Sequence, residues 1–538
     1  MPTIPAYLPY RELTFSEFCT STDRWDDQSA EVEQAFAACF TDKRYLGLNF
    51  EYREVVIKRP CMIAETAGMV GQGNGGADSC LFSNAHFRAG TEMAPTYINR
   101  TATKSAGSTT AVLNSVADLK VGDHIMQSYA VDNSDATLSS PYDMGVPIGA
   151  TISSIDPDTN TISIAPLRFY TGTTGTIRIK QPAYMIDMRG FGEGNRIWGL
   201  SFHNIVMSGV NSEASGIRMP PHTYVAQMSH IRSFYLNGYA IDHLYGDSCT
   251  DFVLSNFQLV LGQSTVEPIS RKGLGVGMSN HDFIIGQGLT EYGRHGFVFN
   301  GGAWLLSQVH PYSGTGNNNN TNAPSIVCNR STPNSIIDGC YIDNSYIELT
   351  NIRQWGDDYF GNLKIGDTRF TQSSNNASFG YITTNHLLGG YGHRGISVTG
   401  CWFGNNSAPN ADVSATRSIC TNPETTYSSK PNDMEDIDFT ANRFVGGVPP
   451  VFNPCTIQKT DTSAATYREA DFTGLFPFNG LAQRAKVGYP ATPSGGVNPG
   501  GSLYVNKWGR KVGVRSQSIQ ATWQIEADCT KPRSELDQ

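Results

Sequence analysis

Between residues 197 and 444 a block of six positions recurs: apolar, variable, small or polar, variable, variable, apolar. Clear copies are Ile197-Trp198-Gly199-Leu200-Ser201-Phe202, Val398-Thr399-Gly400-Cys401-Trp402-Phe403 and Phe439-Thr440-Ala441-Asn442-Arg443-Phe444. Further copies begin at Ile231, Leu254, Ile337 and Ile365, and weaker ones at Ile285 and Leu306. Successive starts are 34, 23, 31, 21, 31, 28, 33 and 41 residues apart. Self-similarity at a period of roughly 20–50 residues marks a solenoid, in which each repeat buries its apolar side only by stacking on its neighbours. The copies are β-branched and aromatic with alternating polarity, and helical periodicity is nearly absent between them. The pattern predicts an all-β chain, a right-handed parallel β-helix. Such a rod has one exposed face suited to an extended polymer.

The flanking segments read differently. Residues 1–22 form an extended lead or anchor. Residues 23–96 hold a capping helix and the first coils. Val32, Ala35, Phe36, Cys39 and Phe40 make one apolar stripe, with Asp27 or Ser29 as the N-cap. Such a helix would cover the open end of the coil stack and its unpaired strand edges. Gly71-Gln72-Gly73-Asn74-Gly75-Gly76 lacks the Lys-Ser/Thr ending and following helix of a phosphate loop, and reads as a tight turn. Residues 97–180 alternate apolar and polar between turn-rich stretches such as Asp156-Pro157-Asp158-Thr159-Asn160, which predicts a small inserted antiparallel β domain. The main rod spans 181–450. Beyond Pro449-Pro450 the repeat stops, and 451–538 read as a C-terminal β module for oligomerisation, carbohydrate binding or capping.

Composition narrows the function. The 538 residues carry 55 glycines and only 16% charged residues, which suits many tight turns between short strands. A net charge of −9 without a basic stripe argues against nucleic acid, whose phosphates need clustered Lys and Arg. The 11 scattered cysteines include no CxxC, so no zinc or redox motif is expected, and they read as buried free thiols. Cys340 and Cys401 share one column of the repeat. No charged segment leads into an apolar run at the N-terminus, and no stretch of about 18 apolar residues exists, so neither a signal peptide nor membrane insertion is expected.

The opening Asp26-Asp27-Gln28-Ser29-Ala30-Glu31-Val32-Glu33-Gln34-Ala35-Phe36 resembles that of pectate-lyase-like (pectin-lyase-like) β-helix proteins, with Gly71-Gln72-Gly73 where their first Gly-rich coil stands. With the rod, Val121-Gly122-Asp123-His124-Ile125 and Arg294-His295-Gly296-Phe297-Val298-Phe299, the chain resembles bacteriophage tailspikes and capsular polysaccharide depolymerases over residues 23 to 450. The resemblance implies a homotrimer on the virion tail that binds, and usually cleaves, a host bacterial surface polysaccharide. Many tailspikes carry a long N-terminal virion-docking domain, whereas the fold signature here begins near residue 23. That departure implies attachment through another phage tail protein or through residues 1–22.

Glycosidic cleavage needs two carboxyl groups. Six residues after successive block starts lie His203, Asn237, Val260, Glu291, Tyr312 and Asp343. Glu291 and Asp343 are thereby expected in one column two coils apart, about 9.6 Å at strand spacing, near the upper end of the roughly 6.5–9.5 Å of inverting glycosidases. Tyr292, Arg294, His295, His310 and Tyr312 surround this pair in sequence and are candidates for sugar stacking and acidic-sugar binding. Trp355-Gly356-Asp357-Asp358-Tyr359-Phe360 is a second candidate, with Asp357 and Asp358 as acids and Trp355 as a binding residue. Asp338 and Asp367 also lie on the coils, and Asp242-His243 and Asp282 have no assignable partner. No GxSxG, HExxH or EF-hand pattern occurs, and no cofactor or metal is expected. A lyase using Tyr or His as base, and a spike that binds without cutting, remain open alternatives. Trp304, Trp355 and Trp402 are candidates for side-by-side association.

Overall fold

A computed structural model provides the structure of the chain. It describes residues 11–530 except 22, 24, 42–44, 65–79, 127–148, 166, 170–171, 191–196, 211, 221, 237, 245–247, 262–271, 277–280, 292–294, 301–302, 313–323, 330–333, 351–358, 373–380, 386–391, 406–433, 462, 464 and 489–503. The glycine-rich segment 71–76 lies outside the described residues. The chain divides into two compact units, Met1–Arg330 and Ser331–Gln538.

Unit 1 is a parallel β-helix built from two sheets. One contains Tyr45–Asn49, Leu81–Ala89, Ser201–Ser208, His222–Leu236, Ser248–Leu261, His281–Glu291 and Trp304–Tyr312, paired parallel from coil to coil. The other contains Cys61–Ala64, Tyr184–Gly190, Ser215–Arg218, Tyr239–His243, Lys272–Val276, His295–Phe299 and Ile326–Cys328, also parallel. The apolar positions stack inward. Phe82, Phe202, Met228, Leu254, Ile285 and Leu306 occupy one column and are all buried. The ring of Phe36 stacks on Phe82 at 4.2 Å, and Phe82 meets Phe202 at 5.3 Å. Each such pair contributes about 0.5–1.5 kcal/mol beyond area burial.

The third position of the block has a structural cause. Asn84, Asn204, His230, Asn256, Gln287 and Gln308 share one column, and each is left-handed, with φ between 52° and 56°. The coil turns a corner there, so a polar or small residue is favoured. Asn204 Nδ2 donates to Asn84 Oδ1 at 2.9 Å, tying successive corners together. One residue further on, the ring of Phe257 lies over Gly288, where an added Cβ would come within 2.3 Å of it.

The apolar stripe of helix Ser29–Thr41 is buried at Val32, Ala35, Phe36 and Cys39. Asp27 Oδ1 accepts the backbone N–H of Ser29 and of Lys58, both at 3.1 Å. Burial pushes the Asp27 carboxyl up, but these bonds and that from the Ser29 hydroxyl hold it below its ordinary range. The lead is not a separate peptide throughout. Arg11–Thr14 pairs with Tyr45–Asn49, and Phe15 is buried 5.0 Å from Phe50, so coil packing begins by residue 11.

A six-stranded antiparallel sheet, formed by Thr96–Lys104, Thr110–Leu113, His124–Met126, Ser154–Asp156, Thr161–Ser163 and Thr173–Gln181, interrupts the coils of unit 1. Its long pair, Thr96–Lys104 with Thr173–Gln181, runs in unbroken register.

Unit 2 repeats the coil pattern with tighter regularity. Ile337, Ile365, Val398 and Phe439 align, as do their sixth positions Ile342, Phe370, Phe403 and Phe444. Phe370, Phe403 and Phe444 stack at 4.8 and 5.4 Å. The corner residues Gly339, Asp367, Gly400 and Ala441 all have positive φ. Cys340 and Cys401 are buried free thiols in one column with Thr368 between them, and burial pushes the Cys401 thiol up to about 12. Past the coils, two three-stranded antiparallel sheets form the C-terminal module. Trp523 is buried at its centre, its N–H donating to Asp461 at 2.9 Å while Arg468 covers the ring at 4.2 Å.

Candidate functional site

Outward positions recur once per coil, so the outer face of each unit is a set of columns. In unit 1 the register confirms Val260, Glu291 and Tyr312 as one column. It corrects two expected members. The true neighbours of Val260 toward the N-terminus are Phe234, Ser208 and Arg88, not Asn237 and His203. The blocks starting at Ile231 and Ile197 were set three and five residues out of phase with the column of Met228 and Phe202. The slip at Ile231 arises because a β-branched residue also fills the fourth position of the block that starts at Met228, and at Ile197 the sixth position, Phe202, is itself the true start.

Glu291 ends the strand His281–Glu291 and is half-buried. Tyr312 lies beside it in the next coil, and His310 sits two residues earlier on that strand, opposite Leu289. The His310 and Tyr312 rings are 6.3 Å apart at 49°. These three therefore share one face of unit 1. His295 does not join them. It is buried, and Nδ1 donates to the Pro324 carbonyl at 2.7 Å, so this imidazole braces adjacent coils. Tyr292, Arg294, Trp355, Asp357 and Asp358 lie outside the described residues.

In unit 2, Asp343 is half-buried, and Thr371 Oγ1, its neighbour in the next coil, donates to Oδ1 at 3.0 Å. The Tyr341 hydroxyl lies 3.1 Å from the same Oγ1. Beside this column runs another, Tyr341, Arg369, Trp402 and Arg443. The Arg369 guanidinium stands 4.3 Å over the Trp402 ring and 5.5 Å over that of Tyr341. The indole lies flat over Gly404, where an added Cβ would come 1.9 Å from it. Glycine at 404 is what lets the ring fold onto the sheet.

A buried polar cluster among the described residues was not legible in sequence. On the second sheet of unit 1, Asp187, Arg218 and Asp242 occupy one column of successive coils, all essentially fully buried. The inserted domain lies over them. His124 Nε2 is 3.1 Å from Asp242 Oδ2, Arg218 donates to the Gly122 carbonyl at 3.0 Å, and Asp123 lies 3.5 Å from Arg189. The Tyr184 hydroxyl donates to Asp242, and the Arg218 guanidinium covers the Tyr184 ring at 4.3 Å. Asp242, which had no assignable partner, thus finds one 118 residues away. With Tyr184, Arg218 and Asp242 sealed from solvent, this cluster cannot meet a polymer. It fastens the insert to the rod.

Next to it, His243 is buried against Phe252 and Phe283 at 4.5 and 5.4 Å. Burial, only partly opposed by Asp242, pushes its pKa from 6.5 down to about 3. The unfolded chain therefore binds a proton that the folded one refuses between those values. Stability is full above pH 6.5 and falls as pH drops toward 3, by up to about 1.4 kcal/mol per pH unit. His243→Phe should flatten that slope, as read from urea midpoints at pH 7 and 5. An unchanged slope would refute the assignment.

Among the described residues no group of three or more His, Cys, Asp and Glu is placed to hold a metal ion, and no helix is long and apolar enough to cross a membrane. No family model matches the sequence, and no curated protein matches it. Solved structures do resemble the fold. The tailspike of Acinetobacter baumannii bacteriophage AP22, in complex with capsular saccharide, is 10% identical, with 97% of this chain and 96% of that chain covered and a TM-score of 0.31. A tailspike double mutant of E. coli bacteriophage HK620, in complex with pentasaccharide, is 8% identical over 96% and 93%, with a TM-score of 0.41. An endo-xylogalacturonan hydrolase from Aspergillus tubingensis is 9% identical over 81% and 92%, with a TM-score of 0.40.

Proposed function

We propose that this chain is a phage tailspike that binds a bacterial surface polysaccharide along its coils and depolymerises it by endo-glycosidic hydrolysis, with Glu291 and Asp343 as catalytic carboxyl groups. The observation that carries this reading is the outer-face register. Carboxylate, aromatic and cationic side chains stand there on adjacent coils, as at Glu291–Tyr312 and Tyr341–Arg369–Trp402. An extended polymer fits such a surface, since successive coils present side chains at a strand spacing of about 4.8 Å. Aromatic faces suit sugar rings, and half-buried carboxyls suit proton transfer to a glycosidic oxygen. Asp357 and Asp358 remain alternative acids, with Trp355, Tyr292 and Arg294 as binding residues. A homotrimer, attached to the virion through another tail protein, completes the proposal.

One observation favours a second reading, polysaccharide lyase. His310 and Tyr312 adjoin on the face that carries Glu291, and either could act as the base in β-elimination. The test incubates the protein with purified capsular polysaccharides and lipopolysaccharides, following reducing-end release and ultraviolet absorbance of unsaturated uronate. New reducing ends without absorbance support hydrolysis. Absorbance transfers the chemistry to the lyase reading. Binding without either leaves a receptor-binding spike, and neither binding nor cleavage across the panel overturns the proposal.

A further inference from the structure

The column Tyr341–Arg369–Trp402–Arg443 carries chemistry beyond generic sugar stacking. The chain is acidic overall, at net charge −9, yet two guanidiniums stand exposed on this one face. Among the described residues, neither the Arg369 nor the Arg443 side chain has a hydrogen bond or an ion pair. Asp338, Asp367 and Asp438 lie on the same coils, and Arg394 pairs with Glu435 at 2.7 Å. Exposed arginines that were only solubilising would gain by pairing in such surroundings. Arg369 instead is held by stacking, 4.3 Å over Trp402 and 5.5 Å over Tyr341. A guanidinium stacked by its face keeps its in-plane N–H edge free for another partner. That edge is the geometry for a bidentate bond to a planar carboxylate. Trp402 is in turn fixed by lying over Gly404, so the cation is pre-oriented before any ligand arrives.

We propose that this column is a subsite for carboxylate-bearing sugars, with the Arg369 edge and Arg443 gripping acidic residues of the glycan and Tyr341 and Trp402 backing them. The four positions span three coil steps, about 14 Å, enough for an oligosaccharide segment rather than one sugar. The inference rests on the polysaccharide-binding reading and narrows it to anionic glycans. The competing occupant of this face is a second copy of the chain.

The experiment uses the full-length protein and a panel of capsular polysaccharides, some rich in uronic acid and some neutral. The best binder is also prepared in carboxyl-reduced form. Binding is measured by calorimetry at low and high salt, and oligomeric state by light scattering. The expected result is that carboxyl reduction weakens binding roughly 10- to 100-fold and that Arg369→Gln does the same for the native glycan. Arg369→Gln should leave the affinity for the carboxyl-reduced form unchanged, and Arg443→Gln should have a smaller effect. Both residues are exposed, so neither substitution removes core packing. If the protein binds a neutral glycan best, or Arg369→Gln binds the acidic one like wild type, the subsite is refuted while polysaccharide binding stands. If no glycan binds at all, the functional reading fails and the subsite with it. If Arg369→Gln changes the oligomeric state, the face belongs to a second copy and the proposal is overturned.

Discussion

Arg218→Ala destabilises unit 1 by about 3–5 kcal/mol and releases the inserted sheet from the rod. The guanidinium has no solvent exposure, and it lies 3.4 Å from Asp242 and 3.8 Å from Asp187. Its removal leaves two buried carboxylates without their shared cation and leaves the Gly122 carbonyl without its donor. It also removes the cation stacked on Tyr184. Breaking a buried pair from one side is costly because the remaining charge stays desolvated, whereas replacing the whole set by apolar groups need not be. Arg218→Met combined with Asp187→Leu and Asp242→Leu should therefore recover part of the loss. Hydrogen exchange read at Thr96–Lys104 and Thr173–Gln181 checks the claim, since those strands report the insert directly. A loss below about 1 kcal/mol, the size of an exposed ion pair, would mean that the cluster is not the fastening.

The same cluster sets an acid limit. Burial alone would push Asp242 up. The hydrogen bond from His124, the charges of His124 and Arg218, and the Tyr184 hydroxyl together outweigh burial and hold it well below the usual carboxylate range. Its contribution is present above the ordinary value of 3.8 and is lost as pH falls below it. His243 begins to destabilise at a higher pH, so mild acid and strong acid act on neighbouring residues in sequence.

Glu291→Gln and Asp343→Asn each lower the rate of polysaccharide cleavage by about a hundred- to ten-thousandfold, with glycan affinity unchanged. The isosteric amides keep size and hydrogen bonding, so an unaltered fold and a lost proton-transfer group are the expected combination. Asp343 is already oriented, since Thr371 Oγ1 donates to it at 3.0 Å, and Thr371→Val should reproduce a smaller part of the loss. Rates of reducing-end release on the best substrate of the panel decide the matter. Full activity in Glu291→Gln would exclude Glu291, and a collapse of activity in Tyr312→Phe alone would move the chemistry to the lyase reading.

Much of the fold was legible because corner and core requirements repeat along the chain. In unit 2 every block start, from Ile337 to Phe439, stands in true register. There the third position is Gly, Asp, Gly or Ala at positive φ, and the sixth is Ile or Phe, buried at Ile342, Phe370 and Phe403. In unit 1 the frame slipped at Ile197 and Ile231; Ile231, one residue past the corner residue His230, imitates a block start. The helix stripe was readable because 3.6-residue periodicity puts Val32, Ala35, Phe36 and Cys39 on one side. Candidate chemistry was less legible. Glu291, His310 and Tyr312 come together because strand register is local, but His295 turned inward, which alternation along a strand buried on both faces does not reveal.

By itself, then, the sequence determined the coil fold, the small or polar corner position, the helix stripe and, in unit 2, the neighbours within a column. Those follow from periodicity and backbone sterics, which act over a few residues and recur. Only the tertiary structure decided what meets across long separations: His124 with Asp242, Arg218 with the Gly122 carbonyl, Arg369 edged between Tyr341 and Trp402. Such contacts depend on how many residues each loop inserts between coils and on where the inserted domain folds back, and neither leaves a periodic trace in the chain.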